Sequence, residues 1–131
     1  MRLLLDTHIA LWSLTDDPRL SRKARELILD PENEVCISAV TLWEIAIKHG
    51  QGRGGPNAMP VSASEAQVLF GASGYTLIPI TPEQTVLVEA LKPVHADPFD
   101  RLLVAQGLTD GLRLVTHDAT VASYNDRIIQ V

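Results

Sequence analysis

The amino-acid sequence predicts an α/β fold with a central, mainly parallel sheet, and three observations carry that prediction. Short apolar runs recur along the chain, among them Leu3-Leu4-Leu5, Val35-Cys36-Ile37 and Leu112-Arg113-Leu114-Val115. Segments of helical spacing separate them, and no internal repeat interrupts the alternation. The first run has no polar residue between its leucines, which describes a strand covered on both faces.

A chain of 131 residues is the size of one ordinary domain, so a single domain over residues 1–131 is expected. Its apolar fraction of 46% against 21% charged residues excludes a disordered chain. Cys36 is the one cysteine and sits inside an apolar run, so disulfides and thiolate–metal chemistry are excluded. No apolar stretch reaches the ~20 residues of a membrane span, and residues 1–6 already read as a strand rather than a leader. A cytoplasmic protein with no membrane partner is expected. The net charge of −5 argues against a broad basic surface for duplex nucleic acid. It argues less against a site where acids gather around a cation, because the cation offsets their charge locally.

The elements follow in order. Arg2 to Leu5 forms the first strand, with Asp6 at its carboxyl end, the edge where ligands collect in open α/β sheets. His8 to Leu14 spaces its apolar residues as a short helix, ended by Asp16-Asp17-Pro18. Ser21 caps a helix beginning at Arg22, and Pro31 closes it. Glu34 to Ser38 is a second buried strand, followed by a helix from Thr41 to about His49. Gln51 to Pro60, with Gly52, Gly54, Gly55, Pro56 and Pro60, is read as a loop or lid without assigned structure. A helix from about Ser64 to Ala72 leads to a third strand, Tyr75 to Ile80, which Pro79 consigns to a sheet edge. Thr81-Pro82 opens a helix to about Leu91, and Asp97-Pro98 opens another to about Asp110, stopped by Gly111. Leu112 to Val115 is the fourth strand, a short helix follows Asp118, and Arg127 to Val131 is the last strand.

Four acids stand at places where such a fold puts chemistry: Asp6, Glu44, Asp100 and Asp118. Right-handed crossovers bring the loops after the first and fourth strands to one edge of the sheet, so Asp6 and Asp118 converge on topology alone. Each acid also has a plainer role. Asp6 and Asp118 can cap the helices that follow them, and Glu44 can pair with Lys48 one helical turn on. Asp97 and Asp100 compete for one place. Asp97 precedes Pro98 as a cap would, whereas Asp100 shares an inward stripe with Leu103, Val104 and Gly107, so the cap falls to Asp97 and the site to Asp100. Whether Asp97 or Asp118 contributes to a metal site stays open. Two carboxylates 5 Å apart repel by ~3 kcal/mol at an effective dielectric of 20. Four converging acids therefore take up protons or hold a cation. With oxygen donors only, that cation is Mg²⁺ or Mn²⁺, suited to phosphodiester hydrolysis.

Leu3-Leu4-Leu5-Asp6-Thr7-His8, Ser38-Ala39-Val40-Thr41-Leu42-Trp43-Glu44-Ile45, His95 through Gln106 with Asp97-Pro98-Phe99-Asp100-Arg101, and Leu114-Val115-Thr116-His117-Asp118 together resemble the PIN-domain nucleases. More narrowly they resemble the VapC-type toxins of bacterial type II toxin–antitoxin pairs. The resemblance covers nearly the whole chain in the right order. It implies a three-layer α/β/α domain, dependence on Mg²⁺ or Mn²⁺, endonucleolytic cleavage of RNA, homodimerisation, and inhibition by a cognate antitoxin protein. The family's invariant acids fall on Asp6, Glu44 and Asp100 and its variable fourth acid on Asp118, with Thr116, and in a lesser role Thr7, supplying a hydroxyl near the metal. The glycine-rich stretch Gln51 to Pro60 departs from the usual pattern.

Candidates for holding RNA are Lys48, Arg53 and Arg101, with His8, His49 and His117 near the acids in sequence. Trp12 and Trp43 read as core or partner-facing residues, with base stacking as their second reading. Two competing functions are weaker. A phosphotransfer domain of haloacid-dehalogenase or receiver type would need a second Asp where His8 stands, or a Lys where His117 and Asp118 stand. A non-catalytic binding domain would use its acids only as helix caps.

Overall fold

The structure is a computed structural model and describes residues 1–52, 54–55 and 58–131. Five strands form one sheet in the order β3-β2-β1-β4-β5, and every pairing is parallel. The strands are β1 (Arg2–Leu5), β2 (Glu34–Ser38), β3 (Thr76–Ile78), β4 (Arg113–Thr116) and β5 (Ile129–Gln130). The helices are α1 (Thr7–Thr15), α2 (Arg22–Leu29), α3 (Ala39–Gly50), α4 (Ala63–Ala72), α5 (Pro82–Leu87), α6 (Pro98–Asp110) and α7 (Ala119–Ala122), with a 3₁₀ turn over Val88–Ala90.

The leucine run at the chain start occupies the middle of the sheet, and its register explains why three apolar residues in a row were needed. Successive side chains of a strand point to opposite faces. Leu4 aligns with Cys36 and Leu114 and joins a core with Val40, Leu103, Val104 and Val121 beneath α6 and α7. Leu3 and Leu5 align with Val35 and Val115 and join Ile9, Ala24, Ala66 and Phe70 beneath α1, α2 and α4. Helices cover both faces, giving the three-layer α/β/α arrangement.

Helix starts follow the expected caps. Ser21 accepts from the Ala24 amide, Asp97 from the Phe99 and Asp100 amides, and Asp118 from the Thr120 and Val121 amides. Thr81 and Gln84 form a reciprocal capping box, as do Ser62 and Glu65. Gly111 ends α6 at φ 66°, a left-handed conformation that suits glycine.

Several boundaries differ from expectation. The helix expected from Thr41 begins two residues earlier, because Ser38 closes β2 and caps α3 at once, accepting from the Val40 amide. The helix expected to run to Leu91 ends at Leu87 and tightens into the 3₁₀ turn. The third strand covers only Thr76–Ile78 and lies at the sheet edge, where Pro79 offers its carbonyl to the Gln106 side chain at 3.0 Å. The last strand is two residues long, Ile129–Gln130. Of the expected glycine-rich loop, Arg53, Pro56 and Asn57 lie outside the described residues.

Candidate active site

All four acids lie on the carboxyl side of the sheet's centre. Asp6 leaves β1, Asp118 follows β4, and these strands are adjacent and parallel. Glu44 is in the second turn of α3, which leaves β2 directly, and Asp100 is in the first turn of α6.

Asp6 is 4% exposed and held at both oxygens. One accepts from the Ile9 amide at 2.9 Å and the other from the Thr116 hydroxyl at 2.5 Å. The cap uses one oxygen only, so capping α1 and a place in the site do not exclude each other. Thr116 passes the connection on by accepting from the Asp118 amide at 3.0 Å. Burial drives the Asp6 carboxyl up to about 6 from 3.8. The hydrogen bonds from Thr116 and Ile9 pull it back down, and the charges of Glu44 and Asp118 add to the rise.

Glu44 is 2% exposed. It does pair with Lys48, yet not as a solvated surface pair, because its other oxygen accepts from the Thr7 hydroxyl at 2.6 Å. Thr7 and Thr41 hydroxyls lie 3.2 Å apart. Since Thr7 spends its single proton on Glu44, Thr41 must donate to Thr7. The apolar residues around Glu44 suggest a helix covered on most sides, but α3 is not. Val40, Thr41, Glu44 and Ile45 are buried, while Trp43 is 55% exposed and Ile47 is exposed beside it.

Asp100 is half-buried and accepts from the His95 ring Nε2 at 2.7 Å. Burial raises its carboxyl to about 6; the His95 contact opposes this, and the charges of Asp97, Asp6 and Glu44 reinforce it. His95 in turn is held above its ordinary value by the hydrogen bond to Asp100. Asp97 turns its oxygen to the start of α6 at 2.8 and 3.1 Å. One donor atom each from His95, Asp100 and Asp118 lies within 4.8 Å of the others. The second oxygens of Asp100 and Asp118 have no hydrogen-bond partner among the described residues.

His95 is the site-lining residue that sequence reasoning passed over. The four histidines are too scattered in sequence for a zinc site, but one five residues before Asp100, ahead of a proline-started helix, can fold back over that helix's first turn. Arg101 moves the other way. Its guanidinium donates to the Val88 and Leu91 carbonyls at 3.0 and 3.3 Å, tying down the 3₁₀ turn, so it is a structural residue and not a free cation for RNA.

The donor set fits a hard divalent cation. Burial first, and the neighbouring acids after it, raise two of these carboxyls to about 6, so negative charge is disfavoured there and a cation relieves that. Carboxylate oxygens around an open position suit Mg²⁺ or Mn²⁺, and the His95 nitrogen widens the choice toward softer ions.

A model of the PIN domain family matches residues 3–126. The chain belongs to the PIN domain family. Among curated proteins it is 32% identical over 123 residues to Ribonuclease VapC22 of Mycobacterium tuberculosis, covering 93% of this chain and 91% of that protein. This PIN domain also superposes on solved structures. One is VapBC2 from Rickettsia felis bound to a promoter DNA fragment, with a TM-score of 0.68 at 17% identity, covering 100% of this chain and 98% of that one. Another is a toxin-antitoxin complex from Klebsiella pneumoniae, with a TM-score of 0.67 at 16% identity, covering 98% and 96%. At such identities the superpositions establish the fold. Membership of the PIN family, the expected one, sets aside the phosphotransfer alternatives.

Proposed function

We propose that this PIN domain is a metal-dependent endoribonuclease and the toxin of a toxin–antitoxin pair, with Asp6, Glu44, Asp100 and Asp118 as metal ligands and Thr116 as the hydroxyl that positions Asp6. The observation that carries the reading is the convergence of these acids, from four separate elements, in a chain of this family. Similarity to a protein named as a VapC ribonuclease supports the choice of RNA and of the toxin role.

A divalent ion bound there supplies charge neutralisation on the phosphodiester and acidifies the attacking water. The chain's own residues supply orientation. Thr116 and the Ile9 amide fix the Asp6 carboxylate, Thr41 and Thr7 fix Glu44 through a one-way hydroxyl relay, and His95 fixes Asp100. Preset ligands spend no energy rearranging as charge develops on the phosphoryl oxygens.

Exposed Trp43 and Ile47 on α3 and Val68 and Leu69 on α4 support apolar contact with a second copy and with a cognate antitoxin. No helix among the described residues is long and apolar enough to cross a membrane, which agrees with work on cytoplasmic RNA. One domain over residues 1–131 accounts for the family match and the shared sheet.

The test is cleavage of RNA by the purified chain in Mg²⁺ or Mn²⁺, in EDTA, and by the variants Glu44→Gln and Asp100→Asn. Cleavage should require the metal and fall about 100-fold or more in each variant. Undiminished cleavage in EDTA, or in both variants, would overturn the assignment.

A further inference from the structure

Beside the acids a cavity of about 480 Å³ opens, and Thr7 and Glu44 form one end of its wall. The indole of Trp12, half-buried, lines it on the α1 side with His8. The His8 ring lies 5.8 Å from the indole centroid and the His117 ring 5.6 Å, the latter edge-on at 66°. The Arg19 guanidinium sits 5.1 Å over the indole, braced by Asp17 at 2.7 and 3.0 Å. His117 is fixed as well, its Nδ1 donating to the main-chain oxygen of Val131 at 3.1 Å.

We propose that Trp12, with His8, His117 and Arg19 around it, is a stacking platform for an unpaired base adjoining the phosphodiester that is cut. The proposal rests on the ribonuclease reading and adds to it the side chains that hold a base beside the cut. Three features lead there. His8 and His117 directly follow Thr7 and Thr116, hydroxyl residues of the acidic site, so the platform and the acids share the ends of β1 and β4. Aromatic faces with a cation above them bind nucleobases without requiring one particular base. The cavity is of ligand size, and a base can enter it only when it is splayed from its neighbours, as in loops and single strands. Lys48 also lines the cavity and offers a cation for a flanking phosphate. In an acidic protein this pairing of aromatic and cationic side chains at one rim gives RNA a hold that the overall charge does not.

Trp12 and Trp43 are the two tryptophans of the chain, so Trp43→Phe leaves Trp12 as the sole indole reporter. That variant is titrated in EDTA with a short single-stranded RNA, and with the same sequence as a duplex, while anisotropy follows binding. Saturable quenching of Trp12 by the single strand, absent or at least tenfold weaker for the duplex, is the expected result. Trp12→Leu should weaken single-strand binding about tenfold or more, with Trp12→Phe restoring it to within about threefold and all variants melting alike. RNA bound with Trp12 emission unchanged, or Trp12→Leu binding as tightly as the parent, would overturn the platform. So would the absence of RNA binding, or quenching by a co-purifying protein partner and not by RNA. Cleavage in Mg²⁺ is followed in parallel. Cleavage with an unquenched Trp12 removes the platform and leaves the nuclease, whereas quenching without cleavage removes the nuclease and leaves the platform.

Discussion

Replacing Asp6 by asparagine should make the metal-free protein more stable while abolishing its activity. The Asp6 carboxyl is raised from 3.8 to about 6 in the folded chain. For such an acid both folded and unfolded states are protonated below about pH 3.8, and nothing is lost. Between 3.8 and 6 the unfolded state ionises first, and above 6 the full penalty of a buried, crowded carboxylate is in force. That penalty is about 3 kcal/mol at pH 7. Asparagine keeps an oxygen for the Ile9 amide but turns an amide nitrogen toward Thr116, losing one hydrogen bond of about 1 kcal/mol. The variant should therefore be about 2 kcal/mol more stable than the parent at pH 7 in EDTA, read from urea unfolding, and the gap should close toward pH 4. Asp100, raised to a similar value chiefly by burial, gives both proteins a similar slope, so the difference between them reports the Asp6 charge together with the part of the Asp100 rise that this charge causes. Mn²⁺ should stabilise the parent and leave the variant nearly unmoved. A variant less stable than the parent at pH 7, or a gap that does not change with pH, would refute the electrostatic argument.

Three further outcomes follow from the geometry. Thr116→Val removes the donor to Asp6 and the acceptor of the Asp118 amide, so it should cost about 1–3 kcal/mol in urea unfolding. It should also push the Asp6 carboxyl higher, so that proton release on Mn²⁺ binding, measured by calorimetry in two buffers, moves to higher pH. Lys48→Met leaves the buried Glu44 without its ion partner; because Lys48 is itself partly solvated, the loss should be about 1–2 kcal/mol, and saturating Mg²⁺ should recover most of it. Gly111→Ala places a side chain at φ 66° and should lower stability by about 1 kcal/mol with cleavage unchanged.

The fold was legible because its central strand announces itself. A run of three leucines is uneconomical anywhere except between two covering layers, and the polar and proline punctuation around the helices marked their starts at Ser21, Thr81 and Asp97. The ends were less legible. Where α5 gives way to a 3₁₀ turn, the cause is the Arg101 guanidinium reaching back from α6 to two carbonyls, a tertiary contact that no local pattern contains. Among the candidate site residues, the positions of Asp6 and Asp118 follow from strand adjacency, whereas the inward turn of Glu44 depends on the hydroxyls of Thr7 and Thr41. Such hydroxyls look like ordinary strand and helix residues until the two elements are packed. His95 stayed hidden for a related reason: its reach to Asp100 is set by the path of the chain ahead of Pro98.

The order of the strands has one last implication, for the moment of synthesis. β1 leaves the ribosome before its neighbour β4, and the Thr116 hydroxyl that steadies Asp6 comes 110 positions after that residue. Over those 110 positions Asp6 lacks the strand on one side of it and the hydroxyl that holds one of its oxygens. For a ribonuclease, the capacity to do harm arrives only once β4 has been made.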